Sequence, residues 1–207
     1  MIIAVDGPAA SGKGTLARRL AAELGLAYLD TGKIYRAVGF RVLSDGGNPA
    51  DPETALAAAR ALDASVLSDP ALAGDDAAEA ASKVAAIPAV RDALMAFQRD
   101  FATRPPGAVL DGRDIGTVVC PDADVKLFVT ADVETRAERR HKELLDRGEA
   151  SIYARVLQAL ADRDSRDRSR STAPMKAAND AIIVDTTTMD ADEAFNTAIN
   201  IVRSRTR

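Results

Sequence analysis

Short apolar runs alternate with longer stretches of helical periodicity along the chain. Residues 2–5 (Ile-Ile-Ala-Val), 27–29, 108–110, 125–129 and 182–184 are brief apolar segments, and polar or glycine-containing turns bound them. They read as buried strands. Between them, apolar positions recur at helical spacing. Residues 12–24 place Leu16, Ala17, Leu20, Ala21 and Leu24 on one face, with Gly25 as a stop. Helix returns over 33–43 and ends near Gly46-Gly47. Asp51 with Pro52 marks another helix start, running to about residue 62. Residues 63–80 break the pattern with scattered Asp, Ser, Pro and Gly, as an insert does. Helix resumes from about residue 79, and Pro88 starts a further one reaching residue 102. Asp132 caps a helix running to Gly148, Ser151 opens one that reaches an arginine-rich run, and an amphipathic helix covers about 192–203.

This alternation predicts an α/β fold, a five-stranded parallel sheet flanked by helices, which the glycine turn Gly7–Thr15 after the first strand makes P-loop-type, in one domain over 1–207, with a short insert at about 63–80 and an Arg-rich lid at about 140–165. In such sheets ligands bind beyond the carboxyl ends of the strands. The polar clusters of this chain follow its strands and so gather on one rim.

Composition narrows the picture. The 207 residues carry 47% hydrophobic and 28% charged residues, an ordinary globular balance. A net charge of −4 argues against a general nucleic-acid binder. The single cysteine, Cys120, forbids an intrachain disulfide and suits a reducing, cytoplasmic setting; it reads as a small core residue. The single histidine, His141, excludes histidine-rich metal sites and reads as an exposed helix residue. The first apolar run covers only residues 1–5 and leads straight into a glycine turn, so neither a secretory leader nor a membrane span is expected.

That glycine turn is the strongest chemical signal. Gly7, Pro8, Ala9, Ala10, Ser11, Gly12, Lys13, Gly14 and Thr15 follow a strand and open a helix. Glycines allow backbone N–H groups to point inward as an anion nest, Lys13 adds a point charge, and the helix start adds its positive dipole end. Gly14 stands where the usual motif carries a hydroxyl, which arrives one residue later at Thr15, so side-chain ligation of a metal is left open.

Three further clusters follow. Thr31, Tyr35 and Arg36 lie after the second strand; Thr31 suits an oxyanion and Arg36 a phosphate, or Thr31 caps a helix and Arg36 is solvated. Asp111-Gly112-Arg113-Asp114 ends the third strand. There Asp111 suits a metal's hydration shell, Arg113 a phosphate, and Asp114 an exocyclic amino group, or the cluster is a turn with a local ion pair. In the run at 163–170, Arg163, Arg166, Asp167 and Arg170 fall on one helix face, suiting a phosphorylated ligand or forming a solvated ladder. Arg136, Arg139, Arg140 and Arg147 suit a lid that excludes water, although each alone reads as a surface residue.

Taken together, Asp6-Gly7-Pro8…Gly12-Lys13-Gly14-Thr15, Asp30-Thr31-Gly32…Ile34-Tyr35-Arg36, Ala81-Ser82-Lys83-Val84-Ala85, Val90-Arg91, Asp111-Gly112-Arg113-Asp114-Ile115-Gly116-Thr117-Val118-Val119 and Arg163-Asp164…Arg166-Asp167-Arg168…Arg170 with Pro174 resemble the bacterial cytidylate kinases of the nucleoside-monophosphate kinase group. The resemblance covers nearly the whole chain. It implies γ-phosphoryl transfer from MgATP to CMP or dCMP, with ATP and Mg²⁺ as cofactors, no nucleic-acid or membrane partner, and a monomer. It implies Ser82, Arg91 and Asp114 at the cytosine ring, and Thr31, Arg36 and Arg113 at the CMP phosphate. Tyr35, Arg163 and Asp167 would lie around the ribose with Arg170 paired nearby, and Asp111 beside the phosphates and metal. Lys13, Asp111, Arg113 and Arg163 would be the catalytic groups. Two departures stand out: Thr31 replaces an expected Ser, and the segment 63–80 is shorter and richer in Ala than the strand-rich insert of longer members. The residues alone also admit a kinase for another acceptor, such as UMP or a shikimate-like alcohol, or a nucleotide-dependent switch, although no Asn-Lys-x-Asp guanine motif is present.

Overall fold

The computed structural model describes residues 1–205. It contains two compact units: Met1–Leu29 together with the described residues from Ala102 onward, and Asp30–Phe101.

The first unit is built on five strands, β1 (Ile2–Asp6), β2 (Ala27–Asp30), β3 (Ala108–Gly112), β4 (Val125–Thr130) and β5 (Ile182–Asp185), in the order β2-β3-β1-β4-β5. The registered pairs are parallel: Val5 lies opposite Asp111 on β3 and opposite Leu127 on β4, and Leu127 lies opposite Ile182 on β5. Burial on both faces explains why β1 and β3 read as continuous apolar runs. Helix α1 (Lys13–Leu24) buries Leu16, Ala17, Leu20 and Ala21, and Leu24 is only partly covered. That face packs with Ile3, Val5, Val109, Leu127 and with Ala198, Ile199 and Val202 of the last helix, α8 (Ala191–Arg205). Gly25 ends α1 in the left-handed conformation, φ 65°, as its place after the last apolar residue predicts.

Four helices belong mainly to the second unit: α2 (Thr31–Ser44), α3 (Pro52–Arg60), α4 (Asp75–Val84) and α5 (Pro88–Thr103). Asp30, not Thr31, caps α2, accepting from the Lys33 amide at 3.2 Å. Asp51 caps α3 as expected, through the Thr54 amide. The irregular segment resolves into two 3₁₀ turns, Ala64–Ser68 and Pro70–Ala73, capped by Asp63 and Asp69. Helix α4 starts at Asp75, four residues before the expected point, with Asp75 and Asp76 complementing the helix dipole in its first turn. Gly39 of α2 lets α4 approach closely: a Cβ there would lie 2.7 Å from the Ala80 Cβ.

Two more helices complete the first unit: α6 (Val133–Asp146), capped by Asp132 through the Thr135 amide, and α7 (Tyr153–Ser169). Between β3 and β4 the chain makes a single π-helical turn, Ile115–Val119, which the sequence pattern does not announce. Among the described residues no helix is long and apolar enough to cross a membrane.

Candidate active site

The end of β1 leads into the glycine turn. Gly7 has φ 146° and sits against the Val129 backbone, where a side chain has no room. Ala10 and Gly12 are left-handed, φ 60° and 83°, and Gly12 begins α1 with no side-chain cap on its first amides. Amides in this state are open to an anion. Lys13 Nζ lies 3.5 Å from Asp111 Oδ1, and Tyr28 donates its hydroxyl to Asp111 Oδ2 at 3.4 Å. A Cβ on Gly14 would lie 2.9 Å from that same Oδ2. A side chain at position 14 would therefore have to displace the tip of the Asp111 side chain.

Asp6, at the tip of β1, accepts from the Ile115 and Gly116 amides, both at 2.8 Å, and so fixes the π-helical turn just beyond Asp111–Asp114. Burial pushes its carboxyl up to about 7, against those two hydrogen bonds and with Asp114 and Asp111 adding to the rise. Its role is invisible in sequence, because its partners lie about a hundred residues away. Asp114 itself is buried.

Arginines converge on Asp167. Arg113 donates from Nε to Asp167 Oδ2 at 3.0 Å, Arg170 approaches Oδ1 at 3.5 Å, and Arg163 stands at 4.0 Å. Burial works against the Asp167 charge, yet the guanidiniums Arg113, Arg163 and Arg170 outweigh it and hold the carboxyl below its usual range. Asp111 and Asp164 also act on Arg113, and guanidiniums gathered in this way are suited to phosphate. The expected single helix face needs correction. Helix α7 ends at Ser169, and Arg170 leaves in extended conformation to turn back on Asp167, donating from Nε to its carbonyl at 3.3 Å. Arg166 is exposed.

The surface reading of Arg136 is also corrected. It is 3% exposed and grips Asp164 of α7 with two bonds, 2.6 and 3.3 Å, while donating to Ala131 O and, at 3.2 Å, to Ala9 O of the glycine turn. Arg139 is half-buried and donates to Thr186 Oγ1 and to the carbonyls of Thr186 and Met189. Arg140 and Arg147 form surface pairs with Glu143. His141 is half-buried rather than exposed, with Nδ1 2.7 Å from Ser151 Oγ and an edge contact to Tyr153. Cys120 is buried, as expected. A cavity of about 220 Å³ opens beside the glycine turn, lined by Gly12, Thr15, Arg139, Thr186 and Met189. The sequence offered no sign of Thr186.

The second unit assembles its own group. Thr31 and Tyr35 are buried on α2, and Ser82 is buried on α4, which packs against α2. Arg91 of α5 is 2% exposed; its guanidinium lies 5.5 Å from the centre of the Tyr35 ring, a cation–π distance, and donates to Ala85 O at 3.5 Å. Arg36 Nε is buried with no hydrogen-bond partner among the described residues. A buried guanidinium nitrogen left unsatisfied points to a ligand. Among the described residues no His, Cys, Asp and Glu group forms a ready metal site.

Comparison with known proteins agrees with this geometry. The cytidylate kinase family model matches residues 3–204. A cytidylate kinase from Paramagnetospirillum magneticum is 60% identical over 207 residues, covering 99% of this chain and 98% of the relative. One from Rhodospirillum rubrum is 57% identical over 211 residues, covering 100% and 99%. The crystal structure of an uncharacterized protein from Eubacterium ventriosum shares the fold at TM-score 0.55 and 16% identity, over 99% of each chain. On its arrangement of strands, glycine turn and arginines, and on these matches, the chain belongs to the cytidylate kinase family.

Proposed function

We propose that the protein transfers the γ-phosphoryl group of MgATP to CMP or dCMP, releasing ADP and CDP or dCDP. Family membership supports the reaction, and one observation carries the site: Arg113, Arg163 and Arg170 crowd a single buried carboxylate, Asp167. These arginines sit in the unit that holds the glycine turn and Lys13.

The donor's phosphates bind the amides of Gly7–Thr15 and Lys13. Thr31, Arg36 and Arg113 hold the acceptor phosphate. Ser82, Arg91 and Asp114 read the cytosine, whose exocyclic amino group donates where uracil has only an acceptor. Tyr35, Arg163, Asp167 and Arg170 surround the ribose. The Asp111 carboxylate, beside Gly14 and Lys13, is a hard oxygen donor suited to Mg²⁺ or its waters. When bound, the ion neutralises phosphate charge. No strong base is needed, because the attacking atom is already a phosphate oxygen. Lys13, Arg113 and Arg163 hold donor and acceptor in line and spread the charge of the transferring group. Residues 140–165, the end of α6 and most of α7, act as the lid that excludes water.

The direct test is ADP release from MgATP with CMP, dCMP, UMP, AMP and GMP offered separately. Turnover with CMP and dCMP is the expected result. Turnover only with another acceptor refutes the base assignment, and none with any acceptor refutes the kinase reading.

A further inference from the structure

An anion nest turns its amides inward and its carbonyls outward, so the outward carbonyls need partners of their own. In this chain two of them flank Ala10, whose φ of 60° is a left-handed conformation that a Cβ disfavours. Ala9 O accepts from Arg136 at 3.2 Å. On the other side, the Thr186 hydroxyl lies 3.0 Å from Ser11 O and 3.1 Å from Thr130 O. Thr130 O also accepts from the Thr186 amide at 2.8 Å, which favours Ser11 O as the acceptor of the single hydroxyl proton. Arg139 Nη1 donates to the same hydroxyl at 3.0 Å, filling its acceptor side and orienting the proton away from itself. Arg139 Nη2 donates to Thr186 O at 2.6 Å and Met189 O at 3.3 Å. Thr186 is 3% exposed, and Ser11 is fully buried.

We propose that Thr186, oriented by Arg139, is a positioning residue that holds the glycine turn in its phosphate-binding conformation through Ser11 O. The inference rests on the reading that this turn binds the phosphates of the donor nucleotide. It assigns a donor-side role to the segment following β5 and to one lid-proximal arginine, neither of which touches the transferring group. The hydroxyl, rather than the bulk of the side chain, is the working part. A Ser in its place keeps the bond, and a Val of the same shape removes it and leaves the Arg139 donor and the Ser11 acceptor without it.

The experiment compares wild type, Thr186→Val and Thr186→Ser in MgATP binding by calorimetry and in KM for ATP and for CMP. Thr186→Val should bind MgATP roughly tenfold more weakly, as loss of one buried hydrogen bond in the site implies, with KM for CMP unchanged and Thr186→Ser within about twofold of wild type. Wild-type-like MgATP binding by Thr186→Val overturns the inference alone. So does an equal rise in both KM values with Thr186→Ser equally impaired, which marks general structural damage. Failure of the wild type to bind MgATP overturns the donor reading and this inference with it. If Thr186→Val does not fold, Arg139→Lys replaces it: a Lys lacks the fork that reaches the hydroxyl and both carbonyls. Unchanged MgATP affinity in that variant overturns the inference.

Discussion

Asp164→Asn is the most informative perturbation of the fold around the site. Its partner Arg136 has a side chain 3% exposed and Asp164 one 5% exposed, and the two meet through paired contacts of 2.6 and 3.3 Å. An amide at 164 keeps one acceptor oxygen but turns an NH₂ group toward a guanidinium that has no acceptor of its own. The buried charge of Arg136 then stands uncompensated. Breaking a buried pair by removing one partner costs about 3–5 kcal/mol. The lower end applies, because Ala131 O and Ala9 O still accept from Arg136. The second ion pair of Asp164, with Arg168 at 3.9 Å, adds almost nothing, since Arg168 is 61% exposed. A loss of about 3 kcal/mol corresponds to a drop of roughly 6–12 °C in Tm for a chain of this size. Urea unfolding followed by circular dichroism measures it, with the m-value checked for constancy. The charge argument also requires that Arg136→Met with Asp164→Leu be less destabilised than Asp164→Asn alone. A single variant within about 1 kcal/mol of wild type, or a double variant worse than the single, refutes the reasoning.

Other outcomes test separate parts of the picture. Gly39→Ala places a Cβ 2.7 Å from Ala80 Cβ and 2.8 Å from Ala80 C, so overpacking of about 1–3 kcal/mol outweighs the helix-propensity gain, and KM for CMP should rise with α4 displaced. Unchanged urea midpoint and KM would show that α2 and α4 have slack. Asp6 holds a proton in the folded chain up to about pH 7 that the unfolded chain, with a value near 3.8, has released. Its contribution is thus full below about pH 4 and is lost as pH rises to about 7, on the order of 4 kcal/mol in all. Asp6→Asn should flatten the stability profile across that window in urea titrations, and profiles of equal slope would contradict the assignment. Asp114→Ala should lower the preference for CMP over UMP by roughly 10–100-fold, as loss of a charged hydrogen bond implies, with KM for ATP unchanged. Equal loss with both acceptors would remove Asp114 from base reading.

The strands and α1 were legible because local pattern suffices for them: five apolar residues before a glycine turn, or Leu16, Ala17, Leu20 and Ala21 on one face. What escaped was decided by distant partners. Nothing near Arg136 separates it from the other charged residues of α6; its burial follows from Asp164, 28 positions on. Helical spacing carried the face on to Arg170, whereas α7 ends at Ser169 and Arg170 folds back to Asp167. The Ile115–Val119 turn has no local signature; its first amides are held by the Asp6 carboxylate, more than a hundred positions back. Capping misled by one residue at Asp30-Thr31, where two residues of capping type stand side by side. The candidate residues themselves were legible as motifs, whereas the brace from Thr186 to Ser11 spans 175 positions and leaves no local trace.

The sheet order also dictates a sequence of events. Strand β1 lies at the centre, and its neighbours β3 and β4 begin only at Ala108 and Val125. During synthesis β1 emerges first and waits for about a hundred further residues before either flank can be filled. Closing loops of that length is entropically expensive and makes parallel sheets slow to form. Residues 30–101, whose helices pack against one another, can collapse in the interval. Ile2–Val5 meanwhile is an unpaired apolar strand, the segment of this chain most exposed to misassociation and the natural target for a chaperone.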